Sequence, residues 1–257
     1  MKTIHLHGQP VAGGRCPLIC TPLVGRLKEE VLRELAVILP KQPDVIEWRV
    51  DYFRSVGNLP EVLEIAKHIK AAAGRIPIIF ACRSANEGGE RIPLDDAEVV
   101  GLHAALCESR QVDIIDYELS NPPEQRERLR KASRDNGVAM ILSYHNFQAT
   151  PDAAELVAKF ADAERCGADI AKVAVMPRSP EDVLTLLGAT CRASQTVGIP
   201  LIGISMGGLG AVSRMANGVF GSALTFAVGD SHSAPGQIPI EELRAVLETV
   251  RATGNGS

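Results

Sequence analysis

Lys172 lies in Asp169-Ile170-Ala171-Lys172-Val173-Ala174-Val175, a strand-like run otherwise built from apolar residues after its first position. An ammonium among apolar neighbours is costly, and lysine is almost never found fully buried unpaired. Two outcomes follow from that cost. Either the stem carries the charge to water or to a carboxylate, or the site holds a desolvated amine that attacks carbonyl carbon. His145 ends Ile141-Leu142-Ser143-Tyr144-His145, where the preceding run meets its loop. A lone histidine is commonly a satisfied structural residue. On a strand next to Lys172, however, an imidazole could shuttle protons while an imine forms and collapses.

Further polar residues interrupt other apolar runs. Glu47 and Arg49 alternate with Trp48 and Val50 and so share one strand face, and Asp51 continues it. Arg83 and Glu87 flank the end of a third run, and Asp116 and Glu118 share a face of a fourth. Any one pair could be an ion pair that closes a sheet; together they predict a ring of charge at the strand ends. Gly203-Ile204-Ser205-Met206-Gly207 matches the G-x-S-x-G nucleophile elbow, with Asp230 and His232 following in the chain order a hydrolase triad would need. Both partners fall late and on one short loop, and the stretch Gly203 to Gly210 reads equally well as a phosphate-cradling loop. Arg214 follows in the next helix, suited to bidentate binding of a carboxylate, although helix arginines are commonly solvated. Residues 229–239 (GDSHSAPGQIP) read as a mobile lid.

Positioning these groups requires a repeating scaffold. Short Ile/Val-rich runs at 16–22, 45–51, 77–83, 112–119, 138–145, 168–175, 200–206 and 219–227 predict eight strands buried on both faces. Amphipathic stretches at 26–39, 151–166, 179–196 and 239–251 predict helices between and after them, with Thr150-Pro151 and Ser179-Pro180 as cap-plus-proline starts. Eight such units form either a barrel or an open doubly wound sheet, and the count of eight favours the (β/α)8 barrel. The 257 residues suit a barrel of about 250 residues as one domain spanning 1–257, since no linker or low-complexity segment divides the chain. Gly8-Gln9-Pro10, in the segment before the first run, predicts a hairpin over the barrel's N-terminal end. In such a barrel chemistry sits at the C-terminal ends of the strands.

Composition removes whole classes of function. With 27 Lys+Arg against 31 Asp+Glu, the net charge of −4 leaves no basic field for nucleic acid. No apolar run approaches the roughly 20 residues of a membrane span, and MKTIHLHGQPVAGG lacks the apolar core of an export signal. The six cysteines form no C-x-x-C pair and read as buried reduced thiols, without metal-ligand spacing, in a cytoplasmic protein.

Taken in order, the motifs resemble the type I 3-dehydroquinate dehydratase family along almost the whole chain. The carriers are Glu47-Trp48-Arg49-Val50-Asp51, Cys82-Arg83 with Glu87-Gly88-Gly89, Ser143-Tyr144-His145-Asn146-Phe147 and Lys172-Val173-Ala174-Val175-Met176-Pro177. Ser205-Met206-Gly207 with Ser213-Arg214, and Ser233-Ala234-Pro235-Gly236-Gln237, complete the set. The resemblance implies a (β/α)8 barrel that converts 3-dehydroquinate to 3-dehydroshikimate by syn elimination through an imine, without metal or organic cofactor, in a homodimer. It implies Lys172 as the Schiff-base lysine, His145 as general acid/base supported by Glu87, and Arg214 as the carboxylate ligand. Glu47, Arg49, Arg83, Ser233, Ala234 and Gln237 would hold hydroxyls and close the site, with Met206 and Phe226 against the ring. The rivals are a class I aldolase using the same Lys172, a serine hydrolase centred on Ser205, and a non-catalytic barrel that binds a small acid.

Overall fold

A computed structural model describes residues 3–11 and 16–254. Eight parallel strands form the frame among the described residues: β3 (Leu18–Leu23), β4 (Val45–Arg49), β5 (Ile78–Ala81), β6 (Ile114–Glu118), β7 (Ala139–Asn146), β8 (Ile170–Val175), β9 (Leu201–Ser205) and β10 (Leu224–Val228). The hairpin β1 (Ile4–Leu6) and β2 (Gln9–Val11) precedes them, and a two-residue strand β11 (Ile238–Pro239) pairs with β10. Neighbours in the ladder are neighbours in sequence from β3 round to β9, with β10 on the other side of β3. An open doubly wound sheet would reverse its strand order partway, and none reverses here. The ring closes where Ala223 N–H donates to Leu201 O at 2.7 Å and Leu18 N–H to Ala223 O at 2.9 Å.

Helices cover the outside: α1 (Lys28–Ile38), α2 (Leu59–Ala73), α3 (Asp96–Ser109), α4 (Pro123–Asn136), α5 (Ala153–Arg165), α6 (Pro180–Thr196), α7 (Gly207–Ala216) and α8 (Ile240–Gly254). Trp48, Phe80, Tyr117, Leu142, Val173 and Leu201 point outward and pack under them. The alternate residues point inward. Cys20, Val45, Ile79, Ile114, Ile141, Ile170, Ile202 and Leu224, one from each barrel strand, fill the lower lumen. Because a strand repeats every two residues, the next inward steps are Glu47, Asp116, Ser143, Lys172, Ile204 and Phe226. The barrel thus has an apolar floor with polar groups stacked on it.

The hairpin reaches the opposite end. Val11 is buried against the same lumen cluster, with Ile4 and Leu6 packed on it, and His7 and Lys70 both contact Asp113, at 2.7 and 2.6 Å. Its turn is His7-Gly8, both at positive φ, so Gln9 and Pro10 already belong to β2. Residues 1–2 and 12–14 of the predicted N-terminal segment lie outside the described residues.

Three local expectations need correction. The run 219–227 is strand only from Leu224, because Val219 to Ser222 form the turn that ends α7, clasped by Asn217. Helix α5 is capped by Asp152, whose carboxylate accepts Glu155 N–H at 2.9 Å; Thr150-Pro151 precede the cap. Cys20, Cys82 and Cys107 are buried as expected, but Cys16 is exposed and Cys166 and Cys191 are partly so.

Candidate active site

All twelve residues that the family resemblance singled out line one cavity at the C-terminal end of the barrel. Glu47, Arg49, Arg83, Glu87, His145 and Lys172 come from β4, β5, β7, β8 and their loops. Met206 lies between β9 and α7, Arg214 and Phe226 come from α7 and β10, and Ser233, Ala234 and Gln237 from the closing loop. Gly88, Phe147, Ala174 and Ile204 complete the wall.

Lys172 is 6% exposed, and its Nζ contacts Asp116 Oδ2 at 2.9 Å and Glu47 Oε1 at 3.3 Å. It also stands 4.6 Å over the Phe226 ring. Its neighbours are therefore two carboxylates and an aromatic face, where the strand pattern alone suggested apolar surroundings. The reason is the cost of an unpaired buried ammonium, met here from across the lumen and from β6.

Asp116 ties the amine to the rest of the site. Its Oδ1 accepts from Arg83 Nη2 at 2.8 Å and Ser143 Oγ at 2.6 Å. Burial pushes its carboxyl upward, but Arg83 and Lys172 outweigh this and hold it well below the usual carboxylate range. Arg83 also donates to Glu118 and Ser143. The pair Asp116/Glu118 is thus an ion-paired buttress and part of the site at once.

His145 stands one inward step beyond Ser143, the register partner of Lys172. Its Nδ1 lies 2.9 Å from Glu87 Oε2, which also accepts the His145 backbone N–H at 2.9 Å. Burial, then the positive charges of Arg83 and Lys172, push the imidazole well below its ordinary value, so it is neutral near neutrality. Burial and the Glu118 charge push Glu87 up to about 7. An ionised Glu87 places the ring proton on Nδ1 and leaves Nε2 as an acceptor toward the cavity.

Arg214 is 1% exposed, not solvated. Its guanidinium donates to the carbonyls of Phe226 (3.4 Å) and Pro235 (3.1 Å), with no carboxylate partner among the described residues. Burial pulls it down to about 10, so it remains charged at neutrality. An uncompensated cation at a cavity wall is a ready anion site. Arg49, by contrast, is forked onto Asp51 at 2.8 Å through two nitrogens.

The segment 229–239, read as a mobile lid, is docked over the cavity. Gln237 Oε1 accepts Ser233 N–H at 2.9 Å, Gln237 Nε2 donates to Ser233 Oγ, and Pro235 O accepts Gly207 N–H at 3.2 Å. Gly236, at φ +75°, lets the backbones meet, since a Cβ there would lie 2.1 Å from Gly207 O.

The nucleophile-elbow reading fails on geometry. Ser205 is fully buried, its Oγ has no hydrogen-bond partner among the described residues, and its Cβ faces Gly210 of α7 on the outside of the barrel. Asp230 is paired with Arg33 at 3.0 Å, and His232 is exposed. The phosphate-loop alternative loses the Gly207 N–H to the lid.

The sequence assigns no site role to Ser143, Phe147 or Ser120, whose Oγ donates to Glu87 Oε1 at 3.0 Å, and gives Asp116 a place in the ring of charge without a named role. Asp116 and Ser143 were readable as inward-facing positions. Ser120 sits in the turn after β6 and carried no signal.

The chain is similar to one family of known proteins along almost its whole length. The family model described as Type I 3-dehydroquinase matches residues 19–253. The chain is 54% identical over 256 residues to a 3-dehydroquinate dehydratase of Albidiferax ferrireducens, covering 99% of this chain and 97% of that one. It superposes with TM-score 0.95 on the 3-dehydroquinate dehydratase of Geobacillus kaustophilus, at 48% identity, covering 98% and 97% of the two chains. A type I 3-dehydroquinate dehydratase from Clostridium difficile, solved with covalent modified comenic acid, superposes with TM-score 0.94 at 35% identity, covering 98% and 99%.

Proposed function

The chain belongs to the type I 3-dehydroquinase family, and from that membership we propose how its residues divide the dehydration of 3-dehydroquinate to 3-dehydroshikimate. The protein is a hydro-lyase of the shikimate pathway. The observation that carries the assignment of residues is convergence: the buried amine, the neutral histidine and the uncompensated arginine all line one cavity.

Lys172 is the nucleophile toward the C3 ketone. Asp116 and Glu47, 2.9 and 3.3 Å from Nζ, hold the amine in place, and the neutral His145 is the base for the proton that the ammonium sheds. The amine adds to the carbonyl, water leaves, and the resulting protonated imine draws electrons from the adjacent carbon. His145 Nε2 then removes the α proton and returns it to the departing β-hydroxyl. Hydrolysis of the imine frees the conjugated enone. Arg214 binds the substrate carboxylate, and its lack of a protein counter-charge suits it to that role. Arg83, with Glu47 and Arg49, orients the hydroxyl side. Ser233, Ala234 and Gln237 cover it, and Met206 and Phe226 pack on the ring.

Borohydride added with 3-dehydroquinate is expected to leave a covalent mass on Lys172, located by mass spectrometry. Lys172→Ala is expected to abolish the ultraviolet absorbance of the enone product, while Ser205→Ala retains most turnover. An unmodified, fully active enzyme after borohydride and substrate would sink the imine reading.

The same proposal treats residues 1–257 as one catalytic domain, in the cytoplasm, as a homodimer. No helix among the described residues is long and apolar enough to cross a membrane. Exposed Leu184, Leu209, Val212 and Val219, on α6, α7 and just beyond, are apolar surface of the kind that a partner subunit covers. Sedimentation of the purified protein tests the dimer.

A further inference from the structure

The two oxygens of Glu87 have different partners. Oε2 is occupied by the backbone N–H and Nδ1 of His145, both at 2.9 Å. Oε1 accepts from Ser120 Oγ at 3.0 Å. Ser120 lies outside the catalytic cavity. It is exposed in the turn between β6 and α4, and with Arg126, Tyr144 and Lys159 it lines a separate surface cleft. It is thus the hydroxyl through which the buried His145–Glu87 pair meets the outside of the barrel.

We propose that Ser120 is a positioning residue for the dehydration, its hydroxyl holding Glu87 as the carboxylate that keeps His145 Nε2 free to accept a proton. This rests on the reading of His145 as the base.

The argument is one of proton placement. An ionised Glu87 can only accept, so the imidazole proton sits on Nδ1 and Nε2 faces the cavity with a lone pair. A protonated Glu87 donates from Oε2 to Nδ1, which moves the ring proton to Nε2 and removes the base. The balance between these forms depends on which donors reach the carboxylate. Arg83, following β5, stands 3.9 Å from Oε2 and favours the anion. Glu118, at the end of β6, opposes it, as does burial. From β7, the His145 backbone N–H favours the anion. Lys172, Asp116 and Arg49 act on the imidazole. Ser120 is the donor on Oε1, and a hydroxyl donated to a carboxylate stabilises the charged form.

The test is the pH dependence of kcat/KM for the parent, Ser120→Ala and Ser120→Thr. With the Oε1 donor removed, the acid limb of the Ser120→Ala profile is expected to move up by about one pH unit. Turnover near pH 7 then falls roughly three- to tenfold and recovers in alkali. Ser120→Thr, which keeps the hydroxyl, is expected to follow the parent. A merely structural role would lower the curve uniformly, so a uniformly lowered or superimposed Ser120→Ala profile overturns the proposal. His145→Ala separates this from the reading beneath it. If that variant keeps turnover, the base assignment itself fails. If it loses turnover while the Ser120→Ala profile overlays the parent, only the role of Ser120 falls.

Discussion

At the scale of single residues, the site works by withholding partners as much as by supplying them. Lys172, Arg83 and Arg49 all face carboxylates, whereas among the described residues Arg214 has only carbonyl partners. On the proposed assignment, the overall charge of −4 is incidental to binding an anion, because the Arg214 guanidinium would meet it locally. Glu87 is the opposite case, a carboxylate that burial and Glu118 lift from 4.5 to about 7. Its raised value means that between these limits the unfolded chain has lost a proton the folded one keeps, so stability falls as pH rises through that window. Glu87→Gln stays neutral throughout. Its stability relative to the parent is expected to rise by about 3 kcal/mol from pH 4.5 to 7 and to stay level above. Denaturant unfolding at a series of pH values measures this; a constant difference would mean that Glu87 is not lifted by the fold.

At the scale of elements, β4, β6, β7 and β8 each contribute an apolar lumen residue and, two positions on, a polar one. Ile170 and Lys172 on β8, Ile114 and Asp116 on β6, and Val45 and Glu47 on β4 repeat the pattern. This period was legible because it needs only alternation within five or six residues. The loops were less legible. Residues 84–90 bring Glu87 over His145 through a short 3-10 turn ended by Gly88 at φ +83°, and a Cβ on Gly88 would fall 2.2 Å from the Phe147 ring. Gly88→Ala is therefore expected to displace the turn and cost at least tenfold in kcat, with the overall circular dichroism unchanged. Unaltered kinetics would show that the turn does not set the Glu87 position.

At the scale of the molecule, the barrel separates stability from chemistry by its two ends. The hairpin and the apolar floor lie at the N-terminal end, and the charged ring and lid at the other. Val11 is 1% exposed within that floor. Val11→Asp places a carboxylate in the apolar end and is expected to lower stability by about 2–4 kcal/mol while leaving kcat/KM unchanged. A loss of activity at temperatures where the variant stays folded would contradict this separation.

Alternation and order along the chain were determined by the sequence alone: eight buried strand runs and their inward polar steps, while Met206, Phe226, Ser233, Ala234 and Gln237 entered only through the family resemblance. The runs and steps depend on local periodicity, which the chain carries without reference to its fold. Three decisions belonged to the tertiary structure. It set Asp116 and Glu47 against Lys172 from separate strands, turned Ser205 outward under α7, and left Arg214 buried without a counter-charge among the described residues. Each depends on which side chains meet across the lumen or behind a strand. Ring closure and register bring residues 56 and 125 positions apart within hydrogen-bond distance of one amine, and no local pattern encodes such a meeting.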